Sequence, residues 1–164
     1  MQIAIAGAGK VGYYLAKTLM NSHQITLIEK DRGLCEKVAE ELGITVVAGD
    51  VVKLKVLEDA KVGQADVFVA ATGKAEDHLI ASQIVQAHLR TPKVIARVNN
   101  PRNEPVFKAL NVPLTVSSTA VIAQLIHQEV SVQDLRTLLT LERGNLAIVE
   151  VNLGDSGPVV GKTV

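Results

Sequence analysis

Near the start of the chain, GAGKVG (Gly7 to Gly12) sets three glycines in the spacing G-x-G-x-x-G. The apolar run QIAIA (residues 2–6) precedes it and a helical pattern follows, the setting in which such glycines cradle phosphate. Gly7 permits the tight turn, Gly9 leaves the backbone open to a phosphate, and Gly12 lets the helix pack closely on the strand. Ala8, Lys10 and Val11 complete the loop. The helix that follows offers unpaired N–H groups and the positive end of its dipole to an anion. The competing use of the same glycines is a tight turn without a ligand.

A phosphate cradle becomes a nucleotide site when the next strand ends supply partners for ribose and base. Glu29 ends the run QITLI, about 20 residues beyond the first glycine, where a carboxylate accepts from both ribose hydroxyls of an adenosine. It also repels a 2′-phosphate, which favours NAD or a plain adenine nucleotide over NADP. Lys30 and Arg32 weaken that exclusion, because a nearby cation accommodates the extra phosphate. The alternative for Glu29 is a solvated loop acid, while Asp31 reads as the cap of the following helix. AGD (48–50) brings Asp50 and the backbone of Val51 to the edge where an adenine ring would reach. Asp50 equally serves as cap for a helix at 51–59, and the two roles can coexist. ATG (71–73) puts Thr72 and Gly73 beside a ribose or pyrophosphate. Arg97 ends the next strand on the same edge, where its planar fork binds a phosphate or pairs with an acid such as Glu76.

The equipment for turnover is missing. Hydride transfer needs a proton donor or acceptor near the nicotinamide and a wall that binds substrate. The sequence has no span for a catalytic domain, no G-x-S-x-G and no Walker lysine motif. His78 falls on the helix after ATG and is poorly placed as a catalyst. His23, His88 and His127 are scattered without a shared ligand spacing, so no metal site is expected.

Composition narrows the class further. At 48% hydrophobic and 21% charged residues, the chain can bury a sizeable core. Aromatic residues are only 2%, so the core is aliphatic and base-stacking platforms are lacking. The 17 basic and 17 acidic side chains cancel, which leaves no basic arm for a nucleic-acid backbone. Cys35 alone forms no internal disulfide and suits a reducing compartment. Neither a signal peptide nor an apolar run of membrane-spanning length is read, so a cytoplasmic protein is expected.

These residues need a scaffold that gathers strand ends along one edge, and the chain's alternation provides it. Strand patterns at 2–6, 24–28, 44–47, 66–73, 94–98 and 113–117 alternate with helical ones at 10–21, 31–42, 51–59, 75–89 and from Pro101 to about 110. Val11, Leu15 and Leu19 fall at helical spacing in the first, and Gly43 suits a helix end. Six strands with short connections specify an α/β, Rossmann-type doubly wound parallel sheet in the order 3-2-1-4-5-6. That sheet is complete by residue 117, giving a domain of residues 1–118. Beyond it, 119–129 reads as an apolar helix and 131–143 as a second, opened by Ser131 and broken by Gly144 and Asn145. Residues 146–153 alternate like a strand. The sequence therefore divides into crossover helices at 119–143 and, at 144–164, the opening of a further subdomain.

GAGKVGYYLAKTL, ITLIEKD, VVAGDVVKLKVLEDAKVGQADVFVAATGKAEDHLIAS and KVIARVNNP, in that order, resemble the RCK (or KTN) domain, and most closely the N-terminal domain of Trk-type potassium-uptake regulators. The resemblance covers about residues 1–130, and its middle signature is GD, a helix ending in Leu57 and Ala60, then ADVFVAATG. The tail LAIVEVNLGDSGPVVGKTV is similar to the opening of the family's C-terminal ligand-binding subdomain. The family implies a cytosolic regulator, lying against the inner face of the membrane, of a potassium transporter or channel. It implies binding of NAD(H), or alternatively ATP, ADP or AMP, without enzymatic turnover. It also implies homodimers joined by an exchanged crossover helix, assembling into tetrameric or octameric rings. Carried over by position, Gly7, Ala8, Gly9, Lys10, Val11 and Gly12 form the phosphate loop and Glu29, with Lys30 beside it, takes the ribose. Asp50 and Val51 then flank adenine, and Thr72, Gly73 and Arg97 line the phosphate or second-nucleoside side. The family often has Asn where this chain has His78. Lys10 stands where some relatives carry an Arg to terminal phosphates, which leaves dinucleotide and ATP/ADP both open. A small NAD-dependent oxidoreductase, or its cofactor domain, is the competing reading.

Overall fold

A computed structural model describes residues 1–130, 135–141 and 146–151. In chain order, β1 (Gln2–Ala6), α1 (Lys10–Leu19), β2 (Gln24–Glu29), α2 (Arg32–Leu42), β3 (Thr45–Ala48) and α3 (Leu54–Asp59) form the first half. β4 (Val67–Ala70), α4 (Ala75–Ile84), β5 (Lys93–Arg97), α5 (Glu104–Ala109) and β6 (Leu114–Val116) form the second, and α6 is Ser118–Val130. The six strands make one all-parallel sheet in the order β3-β2-β1-β4-β5-β6, as the alternating pattern specifies.

Strands covered on both faces must be apolar along their whole length. In β1, Ile3 and Ile5 pack with Leu27, Val38 and Ala16 beneath α1 and α2. Ala4 and Ala6 turn to the opposite face and pack with Leu57, Phe68, Val85 and Phe107 beneath α3, α4 and α5. Both phenylalanines of this aromatic-poor chain are spent there, at 0% and 2% exposure.

Local punctuation sets the element ends. Asp31 Oδ1 accepts from the Leu34 N–H at 2.9 Å, capping α2. Gly43 closes α2 in the left-handed conformation, φ +64°. The helix expected over 75–89 runs as α4 into a π turn, Val85–Leu89. β4 stops at Ala70, earlier than the apolar run suggests, which frees Ala71–Gly73 to form a loop at the sheet edge.

The chain divides into two compact units, Met1–Thr119 and Ala120–Val164. In the second, the helix expected at 131–143 gives way to a strand. β7 (Leu135–Leu141) pairs antiparallel with β8 (Leu146–Val151), from Leu135 opposite Val151 to Leu141 opposite Leu146. Leucines 135, 138 and 139 satisfy helical spacing, but LRTLLTL also alternates, and pairing with a partner strand decides the matter. Ser131, Gly144 and Asn145, and most of the expected 144–164 segment, lie outside the described residues. On α6, Val121, Ile122, Leu125 and Ile126 are each at least half exposed. Among the described residues no helix is long and apolar enough to cross a membrane.

Candidate functional site

Because β1 to β4 run parallel, their carboxyl ends meet at one edge. The loops leaving them enclose a cleft of about 210 Å³. That lies below the roughly 300–1,000 Å³ of pockets that enclose a drug-sized ligand. It suits a nucleoside-sized portion of a larger ligand.

The glycines divide the labour. Gly7 has φ +101° and donates to the Ile28 carbonyl at 2.7 Å, and a Cβ there would lie 2.7 Å from Thr72 Cα. The glycine loop is thus pressed directly on the ATG loop. A Cβ on Gly12 would lie 1.8 Å from the Gly7 carbonyl oxygen, so the close packing of α1 on the turn depends on its absence. Gly9 faces open space, with nothing within 4 Å of its Cβ position. It is the N-cap of α1, no side chain caps it, and the first turn carries no acid. The first-turn amides therefore remain available to an anion.

Glu29 is drawn into the loop rather than left in solvent. Its Oε2 accepts from the Ala8 N–H at 2.8 Å, and Oε1 accepts from the Lys30 and Asp31 amides at 2.8 and 3.1 Å. The carboxylate stands ready-oriented beside the glycine turn. Cys35 Sγ donates to the Glu29 carbonyl from below, and burial, reinforced by Glu29 and Asp31, pushes its thiol up, which keeps it unreactive.

Gly7, Glu29, Lys30, Asp50, Val51, Thr72 and Gly73 all line this cleft. Asp50 does not cap α3. Its Oδ1 accepts from Val52 N–H at 3.2 Å and its carbonyl from Lys53 N–H at 3.1 Å, while Lys53 is the N-cap of α3. A turn of three residues intervenes, and Asp50 braces it. Val51 is buried at 4% exposure. Thr72 Oγ1 accepts from the Lys74 N–H, which curls the loop toward α4.

Other expected residues fall elsewhere. Ala8, Gly9 and Lys10 line a separate groove between α1 and α2, beside Tyr13, Lys37 and Glu41. Val11 lines an apolar groove of about 390 Å³ over β4, β5 and β6, with Leu15, Val69, Ile95 and Val116. Arg97 lines that apolar groove too. Its Nε donates to Ser118 Oγ at 3.2 Å, and it forms neither a wall of the cleft nor the alternative ion pair with Glu76. Gly12 is buried in α1.

Sequence reasoning missed Lys74 and Asp77, which line the cleft where α4 begins. Their position directly after ATG was the available signal. It also missed Asn99, whose Nδ2 donates to the Gly73 carbonyl at 3.0 Å and whose own carbonyl accepts from Thr119 Oγ1 at 2.9 Å. His78 is wholly buried behind the cleft. Its Nδ1 lies 2.5 Å from the Arg97 carbonyl oxygen and its Nε2 2.9 Å from that of Thr72. Burial, with a smaller push from the Arg97 guanidinium, holds its imidazole below the ordinary histidine range, against the pull of the two carbonyls.

The sequence profile of the TrkA-N domain matches residues 3–118. A Trk system potassium uptake protein TrkA homolog from Methanothermobacter thermautotrophicus is 36% identical over 165 residues, spanning all of this chain and 76% of that protein. Among solved structures, the fold is similar to that of the GsuK channel bound to NAD, with TM-score 0.75 and 21% identity over 90% of this chain and 27% of the other. It is also similar to GsuK bound to ADP, with TM-score 0.71 and 20% identity over 81% and 35%. At these identities the likeness to the channel is one of fold.

Proposed function

The chain belongs to the TrkA-N domain family, and from that premise we propose that it is a cytoplasmic regulatory subunit of a potassium uptake system. It binds NAD(H), or alternatively ATP, ADP or AMP, and gates a membrane potassium transporter or channel. The observation that carries the nucleotide reading is the meeting of Glu29 and the glycine loop at one sheet edge, joined through the Ala8 amide. In this reading the first turn of α1 holds phosphate and Glu29 accepts from the ribose hydroxyls. Val51 and Asp50 flank adenine. Thr72, Gly73 and Lys74 meet the remaining phosphate or second nucleoside, and Lys10 reaches terminal phosphates.

The site senses rather than turns over its ligand. His78 is wholly buried, with both ring nitrogens facing backbone carbonyl oxygens rather than a substrate. Two tethers instead lead from the loop to the root of α6. One runs from the Thr72 carbonyl through His78 to Arg97 and Ser118, the other from the Gly73 carbonyl through Asn99 to Thr119. Movement of residues 72–73 on ligand binding is thereby felt where α6 begins.

Glu29→Ala tests the assignment. Removing charge-assisted hydrogen bonds worth about 1.5–3 kcal/mol should weaken NAD or ADP binding roughly ten- to hundred-fold in calorimetry. Unchanged affinity would refute the ribose role.

The exposed apolar stripe of α6 gives the assembly its surface: a homodimer through α6, stacked into a tetrameric or octameric ring against the inner membrane face. Ile122→Glu combined with Ile126→Glu is expected to yield a folded monomer by light scattering. A dimer that survives both charges would place the interface elsewhere.

A further inference from the structure

We propose that His78 is a positioning residue whose number of protons sets the geometry of the Thr72 loop, so that ligand affinity at the cleft rises on acidification. This rests on the nucleotide reading of that cleft.

Both ring nitrogens of His78 face backbone carbonyl oxygens, at 2.5 Å from Arg97 and 2.9 Å from Thr72. A carbonyl oxygen only accepts, and a neutral imidazole has one N–H to give. The imidazolium alone satisfies both. In the neutral ring one nitrogen lone pair is set against a carbonyl oxygen, inside a site with no exposure to water to relieve it.

The two carbonyls are not equally free to respond. Arg97 closes β5, which is held between β4 and β6, and its contact is the shorter. Thr72 lies in the loop beyond β4. On deprotonation the remaining N–H stays with Arg97, and the Thr72 peptide is the one that turns away. Thr72 and Gly73 line the cleft, so this peptide orients the ligand-facing loop.

The sign follows from what surrounds the ring. Burial and the Arg97 guanidinium from β5 disfavour its charge, while the two carbonyls and the Asp77 carboxylate on α4 favour it, with a lowered outcome. Its charging is thereby moved to more acidic pH than for a free imidazole, and the second proton is taken up as the solution is acidified. Acid pins the loop in the conformation described here and adds a positive charge behind an anionic ligand. Both effects tighten binding in the same direction. By reciprocity, a bound ligand shifts the ring's titration toward higher pH.

NAD is the suitable probe, since its pyrophosphate keeps its charge across the range. Its affinity for the whole chain should rise roughly three- to ten-fold in all as the pH is lowered through the titration of the ring, the worth of one regained hydrogen bond. His78→Asn, whose amide keeps a donor group and an acceptor but cannot charge, should flatten that slope. Nitrogen-15 NMR of the unsubstituted protein needs no variant. It should show His78 passing from one protonated ring nitrogen to two on acidification, together with a shift of the Gly73 amide. An equal slope in His78→Asn, or a His78 ring whose resonances stay fixed over the whole acid range in which the protein remains folded, overturns the proposal. NAD binding at no pH would sink the nucleotide reading instead, and the ring titration would still judge the clamp.

Discussion

The Gly12→Ala protein is expected to lose at least about 3 kcal/mol of stability and to melt on the order of 10 °C lower than the parent. The added methyl would sit 1.8 Å from the Gly7 carbonyl oxygen. That neighbour is backbone, held in a turn whose amide is already bonded to Ile28, so it cannot rotate aside as a flexible side chain would. Relief requires α1 to lift off the turn, which uncovers Ala16 and the Ile5 side of the core. Against a total stability of about 5–15 kcal/mol, such a loss is a large fraction. Differential scanning calorimetry reads it directly, and a melting point within a degree or two of the parent would show that the turn relaxes freely.

Gly9→Ala should behave in the opposite way. Gly9 has φ −63° and ψ −177°, a conformation alanine adopts without strain, and its Cβ would meet nothing within 4 Å. The fold and melting point should be preserved. In the proposed function the same open space is where a phosphate approaches the first-turn amides, and a methyl there holds it off. Loss of one or two charge-assisted hydrogen bonds predicts about ten- to hundred-fold weaker binding of NAD and ADP. Two alanines three residues apart thus separate the roles of one motif: one damages the fold, the other only the ligand site. Undiminished binding in Gly9→Ala would mean that the phosphates pass elsewhere.

Much of this was readable in the residues. The strand order follows from apolar runs alternating with helical spacing, and Asp31 and Gly43 sit where their chemistry ends a helix. The glycine spacing and Glu29 located the cleft because both act through short-range geometry. Arg97 misled because only its position at a strand end was weighed. The period of two puts it on the face of Ile95, toward the apolar groove and away from the cleft. Asp50 misled because an acid before a helical pattern looks like a cap, whereas a brace of its own turn leaves the same trace. Residues 135–141 satisfied both periods, and only the pairing with β8 decided between them. His78 was illegible for a different reason. Its partners are backbone carbonyls supplied by the loop after β4 and by β5, and no side-chain pattern announces a carbonyl.

The proposed function requires this sheet edge to hold an adenosine-containing nucleotide without consuming it. Calorimetric titration of the purified protein with NAD, repeated in the presence of saturating ADP, tests it most directly, with NADH absorbance followed alongside. The expected result is saturable binding of NAD that ADP abolishes by competition, with NADH absorbance constant over hours. Absence of binding by both nucleotides, or steady oxidation of NADH, would contradict it.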